Sequence, residues 1–218
     1  MAAGIYSFYR LFVPKFRQQR FEFFLKTFAP SPTTRILDIG GNVHDWDGVP
    51  IESQITVLNL APTDPSPAYP ERFSYRQGDG RDLPFEDQSF DIVYANSVIE
   101  HLGTFESQQR FAREALRVGK GVFIQTPNRW FPIEPHFIAP FFHYLPKRFQ
   151  RLFLPHFSFR GFVRSGDDAN LGQLFDELRL LSTREMVQLF PGCQMQEERF
   201  WGFTKSIIAW KAATRQSE

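Results

Sequence analysis

Short apolar runs alternate with helix-length segments along most of the chain. The runs that we predict to be strands are residues 35–39, 54–60, 73–77, 90–95, 121–125, 195–199 and 205–210. Their apolar residues are continuous more often than strictly alternating, which is typical of a parallel sheet covered by helices on both faces. The pattern therefore predicts an α/β fold.

Three segments have helical patterns. Residues 5–28 indicate one or two amphipathic helices broken near Pro14, because proline removes a backbone donor. Residues 107–118 have helical spacing, and Ser182 followed by Glu185 is typical of a capping box that starts a third helix.

Two stretches fall outside this alternation. Ala29, Pro30, Ser31 and Pro32 form a linker, and residues 131–180 interrupt the alternation as an insertion over the sheet edge. We therefore expect an N-terminal amphipathic helical segment, residues 1–30, followed by one domain, residues 31–218, that contains an aromatic, basic insertion at about 131–180.

Charge and phenylalanine are unevenly distributed. The chain has 25 Lys and Arg against 24 Asp and Glu, which excludes a polycation that coats nucleic acid. However, residues 1–28 carry five basic residues and one acid, residues 141–164 carry five basic residues and no acid, and both are rich in the 26 phenylalanines. These stretches either face an anionic or membrane surface or pack as helices on the core with their charges in water.

Cysteine and hydropathy restrict the remaining classes. A single cysteine, Cys193, excludes an internal disulfide and a cysteine-built metal site, and no metal is expected. The sequence has no run of about 18 apolar residues, so no membrane span is predicted. The first residues do not resemble a cleaved secretory signal. We expect a cytoplasmic protein, with peripheral membrane contact through residues 1–28 and 141–164 as one option.

Polar residues and glycines follow the first four predicted strands, where ligands bind in open parallel sheets. They are Asp38, Gly40, Gly41 and Asn42 after the first strand, Asn59 after the second, Asp79 and Gly80 after the third, and Asn96 after the fourth. Glycine allows a tight turn and close approach of a ligand. Asn59 can hydrogen-bond ribose hydroxyls, and Asp79 can accept from an adenine amino group. Asp38 either holds loop amides or reaches an ammonium group through water.

Four motifs carry a family resemblance: Ile-Leu-Asp-Ile-Gly-Gly at 36–41, Gly-Asp-Gly-Arg-Asp-Leu-Pro-Phe at 78–85, and the stretches 90–102 and 121–128. In this order and spacing, the sequence resembles a class I S-adenosylmethionine-dependent methyltransferase of the type 11, ubiquinone-methylase-like group. The resemblance covers residues 33–128. It implies a Rossmann-like, doubly wound, mostly parallel seven-stranded sheet with an antiparallel last strand and helices on both faces.

The resemblance also implies roles for the residues after the strands. Asp38, Gly40, Gly41 and Asn42 would line the methionine end of S-adenosylmethionine, Asn59 would meet the ribose, Asp79 and Gly80 the adenine, and Asn96 the amino-acid portion near the methyl group. The family continues its turn as Gly-x-Gly, where this chain has Asn42 and His44. We expect Asn42 to adopt the positive φ of the glycine that it replaces.

Methyl transfer to oxygen needs a base, and three side chains are candidates: His136, Glu134 and His101. His101 and its neighbour Glu100 are equally compatible with a helix surface or a core pair. The Asn/Asp-Pro-Pro-aromatic motif of amino-directed nucleic-acid methylases is absent, since residues 96–99 read Asn-Ser-Val-Ile. We expect O- or C-methylation of a small or amphipathic acceptor, such as a lipid-linked, glycan or small-molecule substrate.

Two other functions remain open. A nicotinamide-dependent oxidoreductase also binds adenosine after its first strand, although the Gly-x-Gly-x-x-Gly fingerprint is missing here. A non-catalytic adaptor could retain the fold and bind a partner through its aromatic flanks.

Overall fold

The computed structural model describes residues 2–61, 71–134, 139–146, 148–150, 152 and 176–213. The strands are β1 (Arg35–Ile39), β2 (Gln54–Asn59), β3 (Phe73–Gln77), β4 (Phe90–Asn96), β5 (Gly119–Pro127), β6 (Ile133–Glu134), β7 (Ala139–Pro140), β8 (Gln194–Phe200) and β9 (Phe203–Lys211). Three α-helices have described bounds: α1 (Ala2–Phe28), α2 (Phe105–Val118) and α3 (Thr183–Leu189). The described residues 148–150, 152, 176 and 177 are helical as well. Short 3-10 turns span Val43–Trp46, Ile99–Leu102 and Phe142–Tyr144.

Seven of the described strands form one sheet in the order β3-β2-β1-β4-β5-β9-β8. Strands β1 to β5 pair in parallel, whereas β9 is antiparallel to both β5 and β8. Strands β6 and β7 form a separate two-stranded hairpin. The predicted Rossmann-like sheet with its antiparallel last strand is confirmed, and the strand bounds agree with the predicted ones to within two residues.

Helices α2 and α3 cover one face of the sheet, where Phe111, Ala115 and Met186 are fully buried. The Thr104 hydroxyl accepts a hydrogen bond from the Ser107 amide and caps α2. The predicted capping box of α3 is also present, because Ser182 and Glu185 satisfy each other's backbone amides.

Helix α1 covers the opposite face. Its Phe24 is fully buried and meets the rings of Phe123 and Tyr94 edge-on, at centroid distances of 5.4 and 5.6 Å. Edge-to-face pairs of this kind add to the stability gained from burial. Phe24 and Phe21 of α1 therefore belong to the core.

The helix α1 runs without interruption through Pro14, so the predicted break at this residue is wrong. Proline removes one intrahelical hydrogen bond, but the packed helical turns on its C-terminal side hold the backbone in place. The connection from β1 to β2, residues 40–53, contains a 3-10 turn and no α-helix. Helix α1 thus covers the sheet where a crossover helix would otherwise pack.

Candidate functional site

A crevice of about 370 Å³ lies at the carboxyl ends of β1, β2 and β3. Its lining includes Gly40, Asn59, Gly78, Asp79, Gly80 and Val98. Four of the eight predicted cofactor residues therefore meet in one cavity, at the sheet edge where ligands of doubly wound folds bind. Its size suits a small-molecule ligand.

Position 40, at the rim of this crevice, can hold only glycine. Its φ is +73°, and its amide donates a 2.8 Å hydrogen bond to the Leu58 carbonyl. A Cβ at this position would lie 2.7 Å from Val98 Cγ2. Both the positive φ and the close packing against the Val98 side chain therefore require glycine at this position.

Asn59 fixes the opposite side of the first turn. Its Nδ2 donates a 3.0 Å hydrogen bond to the Gly41 carbonyl, which joins the end of β2 to the turn after β1. Gly41 has no room for a side chain, because a Cβ there would overlap the Asp38 carboxylate at 2.0 Å from Oδ2. Asn59 lines the crevice, whereas Gly41 and Asp38 lie outside its lining.

Asp38 is fully buried beneath the turn. Its Oδ2 accepts a 2.8 Å hydrogen bond from Trp46 Nε1, and Oδ1 has no hydrogen-bond partner among the described residues. Burial raises the pKa of Asp38 to about 7, the Trp46 bond opposes that rise, and the charge of Asp45 adds to it. A carboxyl group with a pKa of about 7 therefore lies below the turn that is predicted to line the methionine end of S-adenosylmethionine.

Asn42 has extended backbone with φ −137°, so the predicted positive φ is wrong. Its side chain instead accepts from the His44 amide at 3.0 Å, and Asp45 Oδ2 accepts from the Asn42 amide at 3.0 Å. Asparagine stands here because it caps the 3-10 turn. The side chain of His44 is exposed and pairs with Asp47 at 3.0 Å, outside the crevice lining.

Asp79 and Gly80 form the rim beyond β3. Arg81 donates to both carboxylate oxygens of Asp79, with Nη2 at 2.6 Å from Oδ2 and Nε at 2.9 Å from Oδ1. The Arg81 hydrogen bonds hold the pKa of Asp79 below its usual value, against a smaller effect of burial. A Cβ on Gly80 would come within 2.9 Å of the Phe111 ring, so glycine lets α2 pack closely.

Asn96 ends β4 outside the lining of this crevice and contacts a buried ion pair. Arg20 of α1 donates to Asn96 Oδ1, and its Nε and Nη2 donate to Glu198 at 2.9 and 2.6 Å. Burial raises the pKa of Glu198, but Arg20, Lys205 and Ser206 outweigh burial and hold it below its usual value. Sequence reasoning missed this pair, because its partners are 178 residues apart.

The three predicted catalytic residues differ in what the structure describes. His101 is half-buried in the turn Ile99–Leu102, and its amide donates to the Val98 carbonyl at 2.9 Å. The neighbouring Glu100 is buried and accepts a 2.9 Å hydrogen bond from Thr126 Oγ1. Glu134 lies in β6, and His136 lies outside the described residues. In the part of the chain that the structure describes, no group of acidic, histidine and cysteine residues could hold a metal ion.

Residues 48–122 match the type 11 family model of the methyltransferase domain. No curated protein matches the chain. The chain spans about half the length of the first solved structures that it matches, 47% and 46% of two of them.

Three solved structures with TM-scores of 0.54 share the fold. A candidate methyltransferase in complex with the Haloferax volcanii Trm112 methyltransferase activator is 13% identical, over 97% of this chain and 96% of that one. Phosphoethanolamine N-methyltransferase 2 of Haemonchus contortus, bound to S-adenosylmethionine, is 16% identical over 90% and 43%. A candidate zinc-dependent alcohol dehydrogenase from Rhodobacter sphaeroides is 11% identical over 89% of each chain.

These likenesses describe the fold alone, which methyltransferases and dehydrogenases share. The match of residues 48–122 to the methyltransferase family model favours an S-adenosylmethionine-dependent methyltransferase domain, as the motifs predicted. The crevice fits that cofactor. Asn59 and Asp79 place polar side chains in its lining, and Gly40 and Gly80 add no side chain there.

Proposed function

We propose that the chain transfers a methyl group from S-adenosylmethionine, bound in the crevice at the ends of β1 to β3, to a small or amphipathic acceptor. The observation that carries this proposal is the positive φ of Gly40 beside Val98 in that crevice. Gly40 and Val98 line that crevice together with Asn59, Asp79 and Gly80. Asn59, Asp79 and Gly80 would hold the adenosine, and Asn96 would hold the amino-acid portion of the cofactor.

Within this proposal, each residue after a strand has a defined task. Asn59 offers its amide to the ribose hydroxyls, and Asp79, already oriented by Arg81, accepts from the adenine amino group. Asp38, Gly41 and Asn42 shape the turn under the methionine end instead of lining the crevice. These assignments rest on the motif resemblance and on the positions of the side chains.

The cofactor supplies an electrophilic methyl group on a sulfonium. The chain aligns the acceptor with that methyl group and excludes water from the reacting atoms. For an oxygen acceptor, His136, Glu134 or His101 takes the proton from the hydroxyl group as the new bond forms. For a carbon acceptor, one of the same three bases takes the proton from the carbon atom that is methylated.

The class of acceptor is supported by exposed aromatic side chains around the same edge of the sheet. Because β9 is antiparallel to β5 and Ser206 pairs with Pro127, the turn between β8 and β9 lies at the carboxyl end of β5. In that turn Trp201 is 77% exposed, and after β5 Trp130 is 61% exposed. Exposed aromatic rings beside an active site suit an acceptor with an apolar part.

The described residues of the basic stretch 141–164 also include exposed aromatic and apolar side chains. Phe141, Phe149 and Leu152 are exposed, and the Arg148 guanidinium lies 4.8 Å from the centroid of the Phe149 ring. Aromatic and basic side chains together favour the interface of an anionic membrane. We include peripheral membrane contact through residues 1–28 and 141–164 in the proposal. No helix among the described residues is long and apolar enough to cross a membrane.

The activity is tested with labelled S-adenosylmethionine and extracts that contain lipids, glycans or small phenols. We expect label to enter an organic-soluble or amphipathic product with the wild-type chain and not with Gly40→Val. Equal labelling by the two chains, or none with any extract, would contradict the proposed function.

The membrane contact has its own test, flotation with anionic and with neutral liposomes at low salt. We expect the chain to float with anionic liposomes, and less so after Trp130→Ala and Phe149→Ala together. Absence of flotation at low salt would remove the membrane from the proposal and leave methyl transfer intact.

A further inference from the structure

Lys205 is a half-buried cation beside a carboxylate that other groups already use. Glu198 is the nearest acid, and Arg20 donates to both of its oxygens, at 2.9 Å to Oε1 and 2.6 Å to Oε2. The hydroxyl of Ser206 also donates to Glu198 Oε2. The lone pairs of Glu198 that a lysine would need are therefore largely taken.

The Lys205 ammonium has little else to contact. It lies 4.5 Å from the centroid of the Phe16 ring, and it forms no hydrogen bond or ion pair with any residue that the structure describes. A cation–π contact compensates only part of the hydration that an ammonium loses on burial. Burial lowers the pKa of Lys205 to about 8, Glu198 opposes this, and the charge of Arg20 lowers it further.

The charges of the cluster do not cancel. Arg20 and Lys205 contribute two positive charges and Glu198 one negative charge, so the protonated cluster carries a net charge of +1. The side chains of the Arg20–Glu198 pair are each only 9% exposed. A buried net positive charge favours the binding of an anion.

The cluster also lies where an acceptor would be expected. Arg20 donates to Asn96 at the end of β4, and Lys205 is next to Ser206, which pairs with the end of β5. A cavity of about 240 Å³ opens beside the Arg20–Glu198 pair, and its lining includes Phe16, Glu197 and Arg199. Lys205 is not part of this lining but contacts the ring of Phe16, which is. This volume admits a carboxylate or a phosphate group.

We propose that Lys205, supported by Arg20, forms a subsite for an anionic oxygen group, a carboxylate or a phosphate, on the methyl acceptor. This inference rests on the proposed function, since it names the chemistry of the acceptor at the same edge of the sheet. The polar end of an amphipathic acceptor would bind at Lys205, and its apolar part would contact the exposed aromatic rings.

The test measures the thermal stability of the full chain with inorganic phosphate and, separately, with acetate, each against chloride at equal ionic strength. We expect at least one of the two anions to raise the melting temperature of the wild-type chain, and the more effective one identifies the group. Lys205→Met should abolish the rise. Lys26→Met, which removes an exposed lysine of α1, should leave it unchanged.

An equal rise in Lys205→Met, or no rise with either anion in the wild-type chain, would overturn the subsite. Lys205→Arg keeps the charge and provides the second variant, in which we expect the rise to be retained at least in part. S-adenosylmethionine affinity is measured on the same samples. If the wild-type chain binds S-adenosylmethionine but neither anion, only the subsite is contradicted. If the wild-type chain does not bind S-adenosylmethionine, the proposed function is contradicted.

Discussion

Trp46 Nε1 donates a 2.8 Å hydrogen bond to Asp38 Oδ2, and both side chains are almost completely buried. This bond fastens the 3-10 turn to β1 directly below the residues that form the crevice. It also supplies the one hydrogen bond of the carboxyl group among the described residues. The bond therefore connects the 3-10 turn to the buried carboxyl group of Asp38, in the strand that ends at the crevice.

Trp46→Phe should destabilise the chain. The substitution leaves both Asp38 oxygens without a donor and removes ring volume from an aromatic cluster, which together should cost at least about 2 kcal/mol in the free energy of unfolding. Urea unfolding measures the loss. Trp130→Phe, at an exposed tryptophan, is the control and should change stability little. Equal effects of the two substitutions would contradict the structural role of the bond.

The raised pKa of Asp38 predicts an unusual pH dependence of stability. The folded pKa is about 7 and the unfolded value is near 4, so between these values the native state keeps a proton that the unfolded chain releases. This contribution is complete below about pH 4 and is lost as pH rises to 7. Its size is on the order of 4 kcal/mol.

The measurement is the unfolding free energy of wild type and Asp38→Asn from pH 5 to pH 8. We expect the stability of the wild type, relative to the variant, to decrease as pH rises. Asparagine can still accept the Trp46 hydrogen bond and does not titrate. Parallel profiles for the two chains would show that Asp38 is ionised throughout the range.

Phe24→Ala should show that α1 is part of the core. Phe24 is fully buried against Tyr94, Phe123 and Trp46, and truncation of such a ring costs about 3–5 kcal/mol. Val187→Ala on α3, where the side chain is 54% exposed, should cost far less. If both variants unfold at the same urea concentration, α1 does not contribute as described.

Gly40→Ala should weaken S-adenosylmethionine binding at least tenfold, as measured by calorimetry. The new Cβ would lie 2.7 Å from Val98 and would hold a strained positive φ. Gly48→Ala is the matched control, since its φ is +76° but no atom lies within 4 Å of the added Cβ. Adding Val98→Ala to Gly40→Ala should restore part of the affinity. A normal affinity for Gly40→Ala would argue against this crevice.

The choice of base can be decided by substitution. With an acceptor found by the extract screen, His136→Ala should lower turnover at least tenfold without changing cofactor affinity, because a missing base affects the chemical step. The same measurement on His101→Asn and Glu134→Gln identifies the alternative base. His44→Ala, at an exposed histidine outside the crevice, serves as the control. Unchanged turnover removes the residue concerned from the mechanism.

The strands and the residues at their ends could be predicted from sequence because they depend on local patterns. Continuous apolar runs identified the strands, and Gly40 was recognised because a strand that ends in Asp-x-Gly-Gly leaves few other conformations. The capping box of Ser182 and Glu185 is equally local, since both groups lie within one helical turn.

What the sequence did not indicate depends on contacts between distant parts of the chain. Nothing near Arg20 marks Glu198 as its partner, and nothing near Asp38 shows that it lies buried against Trp46. Asn42 was misjudged for a related reason. Asparagine suits both positive φ and helix caps, and the following turn selected the cap.

Calorimetry on the wild-type chain measures whether the crevice beside Gly40 binds S-adenosylmethionine. Titrations with S-adenosylmethionine and with NAD⁺ are carried out on the same sample. We expect saturable, one-to-one binding of S-adenosylmethionine and no heat of binding from NAD⁺. Binding of NAD⁺ alone, or of neither compound, would contradict this expectation and favour the oxidoreductase or the non-catalytic adaptor, respectively.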